Sequence, residues 1–307
     1  MKRLAVLSDV HIDINQLAET EWAMLVKLLL AEHIDHVHLA GDIANTKQQA
    51  LAFVDYLSSY FPTTFHWGNH EMANLTEGEI EHDSDPRFLN FRFFSLSDTT
   101  WLLGVNGWYD YSFVEGAPRD FERLKKLAWY DRFIQREASD PVVMQQIADN
   151  FTAIMRTVPK DKRVIVSTHF VPNQAFVQTF TGKYAKWNQI NAFLGSPKIG
   201  QLATEFPQIK ALVFGHTHHR FGSVQVGSIH YECRPLGYAY EWRSMREALK
   251  QKQQKQLTMA ALKREWQQSA KEMYRLYPEI VEQELKAALT ILPYEEEKQE
   301  RNATDVY

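Results

Sequence analysis

Cysteine is almost absent from this chain, with Cys233 the only one among 307 residues. No intramolecular disulfide can form and a cysteine-rich zinc site is excluded, so any metal must be held by His, Asp, Asn or Glu. Long apolar runs are missing too: no stretch approaches the roughly 20 residues that a membrane helix needs. The opening Met1-Lys2-Arg3-Leu4-Ala5-Val6-Leu7 is basic and then apolar, but Asp9 and His11 cut it far short of a signal-peptide core, and it reads as a first strand. These absences predict a soluble, cytoplasmic protein without a membrane span. A large excess of either charge is also lacking. The formal net charge of -4 gives no global basic footprint of a dedicated nucleic-acid binder, although a local basic groove would keep nucleic acid among the partners. What remains, 45% hydrophobic and 23% charged residues, is ordinary globular composition with enough apolar content for a substantial core.

The pattern along the chain alternates strand and helix. Leu4 to Ser8 reads as a strand; Leu17 to Glu32 carries Trp22, Leu25, Val26, Leu28 and Leu29 at helical spacing; and His36 to Ala40 reads as a second strand. Asn45 or Thr46 caps a second helix bearing Leu51, Phe53, Val54 and Leu57, which ends before Pro62 and a third strand, Thr63 to Trp67. Two strand-like runs between Phe91 and Val105 flank Ser97-Asp98, a hairpin signal at which the pattern turns antiparallel. Arg119 to Arg156 is mostly helical in pattern, and Val164 to Ser167 and Ala211 to Phe214 are further strands. Two short strands then meet at Gly227-Ser228. The alternation predicts an α/β fold with mixed sheets. After Arg234 the composition turns to Lys, Glu and Gln, which marks a boundary near Tyr240 between a domain over 1–240 and a helical C-terminal extension over 241–307. That tail carries Met245, Leu249, Leu257, Leu262, Trp266, Met273, Tyr274 and Leu276 as one apolar stripe, a Lys/Gln run from Lys250 to Gln256 and an acidic end. Self-association through its helices would cover such a stripe.

Five polar clusters each close an apolar run: Asp9-Val10-His11, Gly41-Asp42, Gly68-Asn69-His70-Glu71, Thr168-His169 and Gly215-His216-Thr217-His218. In open α/β sheets, ligands collect at the carboxyl ends of strands, so five strand ends can converge on one place. Two divalent cations roughly 3.5 to 4 Å apart need a bridging carboxylate, and Asp42 suits that role. Asp9 and His11, one residue apart, point to the same side if extended and would serve one metal, and His216 and His218 repeat that spacing. Asn69 offers an amide oxygen and His169 an imidazole. Such a mixed nitrogen and oxygen set suits Mn, Fe or Zn. With no serine or cysteine nucleophile in these clusters, the attacking group would be a metal-activated water, and His70 is placed to protonate a leaving alkoxide.

In these residues the chain resembles the calcineurin-like metallophosphoesterases, whose pattern runs Asp-x-His, Gly-Asp, Gly-Asn-His-Asp/Glu, a His and Gly-His-x-His. All five blocks occur in order over about Leu4 to Leu236, which is far more specific than any one motif. The resemblance implies a four-layer αββα sandwich. It also implies one metal held by Asp9, His11, Asp42 and His218, a second held by Asp42, Asn69, His169 and His216, and His70 as proton donor. The reaction it implies is hydrolysis of a phosphomonoester or phosphodiester by a hydroxide activated between two metals. The Ser/Thr protein phosphatases of that superfamily extend the second block to Gly-Asp-x-x-Asp-Arg-Gly, whereas this chain has Gly41-Asp42-Ile43-Ala44-Asn45-Thr46-Lys47. Asn45 thus stands where those enzymes carry the carboxylate that supports the catalytic histidine, which argues against a protein phosphatase. The acidic net charge favours a small phosphorylated substrate. A nuclease of the same superfamily and a non-catalytic scaffold of the same fold are the rival readings; the complete set of donors argues against the scaffold.

The bland readings cover the rest. Five of the 12 histidines sit in the clusters; His33, His36, His38, His66, His82, His219 and His230 read as surface or satisfied core residues, with His219 the one that could support His218. Trp67 and Trp101 read as core. Trp108, Tyr109 and Tyr111 divide evenly between core and pocket lining, and Lys183 to Asn188 reads as a solvated basic turn before it reads as a phosphate contact.

Overall fold

The computed structural model describes residues 1–114, 120–253 and 257–294. The acidic end beyond Tyr294 and the last residues of the Lys/Gln run, 254–256, lie outside them. Among the described residues, ten strands form two sheets. The first contains β1 (Arg3–Leu7), β2 (His36–Ala40), β3 (Thr63–His66) and, from the far end of the chain, β10 (Thr290–Pro293), in the order β10-β1-β2-β3. The second contains β4 (Arg92–Ser95), β5 (Thr100–Val105), β6 (Arg163–Thr168), β7 (Ile209–Val213), β8 (Gly222–Val226) and β9 (Ile229–Cys233), in the order β4-β5-β6-β7-β9-β8. Both are mixed: β1, β2 and β3 run parallel and so do β5, β6, β7 and β9, while β10, β4 and β8 pair antiparallel at the margins.

The helices are α1 (Glu19–Ala31), α2 (Lys47–Ser58), α3 (Asn69–Met72), α4 (Glu77–Glu81), α5 (Phe121–Ala128), α6 (Asp140–Met155), α7 (Lys198–Ala203), α8 (Arg243–Gln253), α9 (Met259–Leu276) and α10 (Pro278–Ala288). None of the described helices is long and apolar enough to cross a membrane. Strand alternation sorts the layers. Val37, Leu39 and Phe65 belong to one apolar cluster with Leu25 and Leu29 of α1 and Phe53, Val54 and Leu57 of α2, which places those helices on the first sheet. Leu103, Val105, Val166 and Leu212 join Val143, Ile147 and Phe151 of α6 in the same way on the second. The opposite faces form a separate cluster, in which Leu4 and Val6 meet Leu102, Ile165, Ala211, Val213 and Leu292 between the sheets. Helix, sheet, sheet, helix is the four-layer αββα arrangement that the family resemblance implied, and the mixed sheets are what the alternation along the chain predicted.

The interior between the sheets is not wholly apolar. His36 Nε2 and His38 Nδ1 each lie 2.9 Å from Thr64 Oγ1, and His66 Nε2 lies 3.0 Å from Ser167 Oγ, which ties β3 to β6 across the sheets. These three histidines are core residues whose ring nitrogens find hydroxyl partners, in line with the bland reading. Trp67, Trp108 and Tyr109 are likewise fully buried, and Trp108 Nε1 donates to Asp140 Oδ1 at 2.8 Å. Tyr111 is partly buried and donates its hydroxyl to Asp140.

The tail is helical, as its stripe predicted, but its course back to the first sheet had no sequence signal. Trp266 of α9 is fully buried with Nε1 donating to the Ile14 carbonyl at 3.2 Å, and the Tyr274 hydroxyl donates to the Asn15 carbonyl at 2.7 Å. After α10 the chain pairs β10 with β1, Arg3 opposite Pro293 and Val6 opposite Thr290, so the first strand is not an edge.

Burial holds His36 at about 4, below the usual 6.5, and pushes His38 well below its usual value too. Between pH 6.5 and 4 the unfolded chain therefore takes up protons that the folded chain refuses, so this contribution to stability is complete above 6.5 and falls as the pH drops through that window. For His36 the loss amounts to roughly 3 kcal/mol at most. Urea unfolding at pH 7.5 and pH 4.5 is expected to show a smaller acid penalty for His36→Gln than for the native chain; an equal penalty in both would mean that His36 is not held neutral.

Candidate metal centre

Each sequence cluster lies just past the carboxyl end of a strand: Asp9 and His11 after β1, Asp42 after β2, Asn69 and His70 after β3, His169 after β6, and His216 and His218 after β7. The backbone there is unusual. Asp9, His11, Asp42, His216 and His218 all have positive φ, between 45° and 69°, a conformation that non-glycine residues adopt rarely and that costs on the order of 1–3 kcal/mol each. Left-handed turns, not extended alternation, therefore bring Asp9 and His11 together.

Two glycines make room for the carboxylates. A Cβ on Gly68 would stand 2.2 Å from Asp42 Oδ1, and one on Gly215 would stand 2.2 Å from Asp9 Oδ2. In return the neighbouring amides hold those carboxylates: His70 N donates to Asp42 Oδ1 at 2.9 Å, and His216 N donates to Asp9 Oδ1 at 3.0 Å. Glu71 fastens the loops beneath by accepting from the backbone N–H groups of Asp42, Ala44 and Gly68 at 3.1, 2.8 and 2.9 Å.

The donors gather into two groups that share Asp42. In the first, His11 Nε2 lies 3.6 Å from Asp42 Oδ2, His218 Nε2 lies 3.4 Å from Asp9 Oδ1, and the two imidazole nitrogens are 3.0 Å apart. In the second, His169 Nε2 lies 3.4 Å from Asp42 Oδ1 and 3.1 Å from Asn69 Oδ1, and His216 Nδ1 lies 3.0 Å from Asn69 Oδ1 and 3.2 Å from His169 Nε2. The ligand atoms of Asp9, His11, Asp42 and His218 all fall within 4.8 Å of one another, as do those of Asp42, His169 and His216. Although His216 and His218 repeat the spacing of Asp9 and His11, their left-handed turns divide them between the two groups, as the family resemblance implied: His218 joins Asp9, His11 and Asp42, and His216 joins Asp42 and His169. Two nitrogens facing each other amid carboxylate oxygens form the donor set that a borderline divalent cation prefers, so the residues fit a metal pair.

The electrostatics follow from burial. Burial alone would push the Asp9 carboxyl up, but the His218 hydrogen bond and the charges of His169 and His218 bring it down to about 2. Asp42 is likewise held well below the usual carboxylate range against burial, chiefly by His169 and His70. Burial would lower His169 and His218, yet Asp42 raises the first to about 9, and Asp9 and Glu241 raise the second to about 10. At His216 burial and the charge of His169 outweigh the pull of Asp42 and Asp9 and push it down to about 3.

A ring of outer partners orients these donors. His169 Nδ1 lies 3.0 Å from the Ala40 carbonyl and His216 Nε2 lies 3.1 Å from the Phe193 carbonyl. His218 Nδ1 lies 3.4 Å from Glu241 Oε2. Asn69 Nδ2 donates to Asp131 Oδ1 at 2.8 Å, which turns the amide oxygen towards His169 and His216, and Trp129 Nε1 donates to the other Asp131 oxygen at 3.1 Å. His70 stands beside the first group with Nε2 3.8 Å from Asp42 Oδ2 and 3.2 Å from the Tyr238 hydroxyl. Its Nδ1 lies 2.6 Å from Asn45 Oδ1, and its ring stacks on Tyr130 at 4.2 Å and 13°. Asn45 thus supports His70 without adding charge.

All eight sequence candidates meet here. Asp131, Tyr130, Glu241 and Tyr238 were not found from sequence, since each reaches the site from a distant segment without a motif of its own. Lys183 to Asn188 lies on an exposed 3-10 stretch, and Trp187 is 50% exposed there. His219 is exposed, and its backbone N–H donates to Thr217 Oγ1 at 3.1 Å, so its nearest partner is Thr217 and not His218.

A family model described as calcineurin-like phosphoesterase matches residues 2–220. No curated protein matches the chain by sequence. Among solved structures, the phosphopantetheinyl hydrolase of Mycobacterium tuberculosis is similar at 18% identity and a TM-score of 0.56, over 79% of this chain and 92% of that one. A dimetal phosphatase from Danio rerio is similar at 14% identity and a TM-score of 0.44, over 76% and 87%.

Replacement of Asp131 by alanine frees the Asn69 amide to rotate, and a lost outer partner typically costs 10- to 100-fold in metal affinity. Competition titration against a fluorescent chelator is expected to read a weakening of about that size for one of two Mn or Zn ions, with circular dichroism unchanged. Undiminished affinity for both ions would show that Asp131 does not orient a ligand.

Proposed function

From the membership of this chain in the calcineurin-like phosphoesterase family, over residues 2–220, we propose that it is a metal-dependent hydrolase of a phosphomonoester or phosphodiester. The observation that carries this reading is the shared Asp42: one carboxylate faces both donor groups, and His70 Nε2 stands 3.8 Å from it. Asp9, His11, Asp42 and His218 would hold one divalent cation, and Asp42, Asn69, His169 and His216 a second, with Mn, Fe or Zn favoured by the donor chemistry. Such a pair supplies Lewis acidity towards phosphoryl oxygens and a water of lowered pKa.

The chain's own residues supply position and protons. Amide-held Asp9 and Asp42 are fixed before substrate arrives, so little reorganisation accompanies binding. Asn45 Oδ1 accepts the Nδ1 proton of His70, which leaves Nε2 to carry the proton handed to the leaving oxygen. Burial, aided by His218 and His169, lowers His70 below its usual value despite Asp42, and a more acidic imidazolium gives up its proton more readily. The stack on Tyr130 fixes the ring plane. A small phosphorylated molecule is the substrate class that the acidic net charge supports, and a nuclease would require strongly salt-dependent binding.

Protein stripped with chelator is expected to hydrolyse neither a chromogenic phosphomonoester nor a diester, and Mn is expected to restore turnover on at least one. His70→Ala is expected to lower kcat by roughly 10²- to 10⁴-fold with metal content unchanged, while Asp42→Ala loses metal and turnover together. Full activity of His70→Ala on both esters would remove the proton-donor role, and failure of the native chain to bind two ions would remove the whole reading.

A further inference from the structure

A cavity of about 330 Å³ opens directly beside His70. His70, Tyr130, Tyr238 and Tyr240 line one part of it, and Lys263 and Gln267 of α9 line another. Four of these six residues lie beyond residue 220, where the family match ends, so that wall belongs to this chain's own tail. We propose that this cavity is the leaving-group pocket of the site, that it takes the nucleoside part of a nucleotide, and that α9 is its specificity wall. The inference rests on the phosphoesterase reading: a proton from His70 Nε2 goes to the leaving oxygen, so the group that departs must sit on the His70 side.

The lining fits a flat polar ring better than a sugar or a glycerol. Tyr130 stacks on His70, and Tyr238 stacks on Tyr240 at 5.2 Å and 18°, so three tyrosines and an imidazole line the part nearest the chemistry. Bases stack on such faces whatever their sequence identity. The hydroxyls of Tyr130, Tyr238 and Tyr240 bring hydrogen-bonding groups to the same lining. Gln16, Asn45 and Asp13 add amide and carboxylate groups, which offer donors and acceptors together, as the edge of a base requires. Lys263 is exposed and makes no ion pair among the described residues, so its ammonium is available to a ring carbonyl or a second phosphate. The wall is fixed in place by the Trp266 bond to Ile14, the Tyr274 bond to Asn15 and the Gln16 Nε2 donation to the Gln267 carbonyl at 3.2 Å. Its anchor is the loop that carries Asp9 and His11.

The test uses the full chain loaded with Mn, a panel of nucleoside monophosphates and glycerol 3-phosphate as an ester without a base. Lys263→Ala removes the cation and Gln267→Trp fills the pocket; both positions are exposed and away from the metal ligands. A nucleotide is expected to exceed glycerol phosphate in kcat/KM by at least roughly tenfold, and each variant to raise KM for the nucleotide by roughly tenfold and so to narrow that preference. Calorimetry with the free nucleoside reads the pocket without turnover, and weaker binding by both variants is expected there. Equal kcat/KM for both esters, or variants that leave nucleotide KM unchanged, would overturn the pocket while leaving the phosphoesterase reading intact. If no ester is turned over, that reading fails, and absence of nucleoside binding by calorimetry would then overturn the pocket separately.

Discussion

Asp42 is the group around which the rest of the site is organised. It is a carboxylate with 1% exposure, and a buried charge is tolerated only when it is paired and hydrogen-bonded. The fold meets that demand from several directions at once. The His70 amide donates to one oxygen, His169 approaches that same oxygen, and His11 and His70 approach the other. Glycine at 68 leaves the space that a side chain would fill. The loops after β1 and β2 then run side by side, Asp9 N on the Gly41 carbonyl and His11 N on the Asp42 carbonyl, so Asp9 and Asp42 cannot move independently.

The strain at these loops has the same origin. Five ligand candidates with positive φ represent several kcal/mol of unfavourable backbone, and such conformations persist only where the surroundings over-determine them. Here the surroundings are two mixed sheets whose inner faces are locked by apolar packing and by the His66 to Ser167 contact. A rigid four-layer frame carries the left-handed turns, and the turns aim imidazoles that a regular strand would have sent elsewhere. His216 and His218 show the consequence, since two residues of one tripeptide end on opposite sides of Asp42.

The tail belongs to the same structural argument. Its last strand pairs with the first, Trp266 and Tyr274 bond to the loop that follows His11, and Glu241 reaches His218. Residues far apart in the chain thereby fix the geometry of the loop that carries Asp9 and His11. That linkage also explains why a segment rich in Lys, Glu and Gln is stable as helices: Leu249, Leu262, Trp266, Met273 and Tyr274 of its apolar stripe are buried, while Leu276 at its end stays half exposed.

The sequence by itself determined the alternation of strands and helices from β1 to β9 and the eight polar candidates, because each rests on local information. Period-two alternation marks strands, 3.6-residue spacing marks helices, and short clusters such as Gly215-His216-Thr217-His218 are contiguous in the chain. Tertiary structure decided what depends on distant pairs. Whether His216 and His218 share a partner is set by φ values that local spacing does not reveal. The approach of Asp131 to Asn69, of Tyr238 to His70 and of Glu241 to His218 spans gaps of 62, 168 and 23 residues, with no repeated spacing to betray it. The β10 strand was invisible for the same reason: four residues, Thr-Ile-Leu-Pro, carry too short a pattern to be read as a strand, and only the open edge of β1 makes them one.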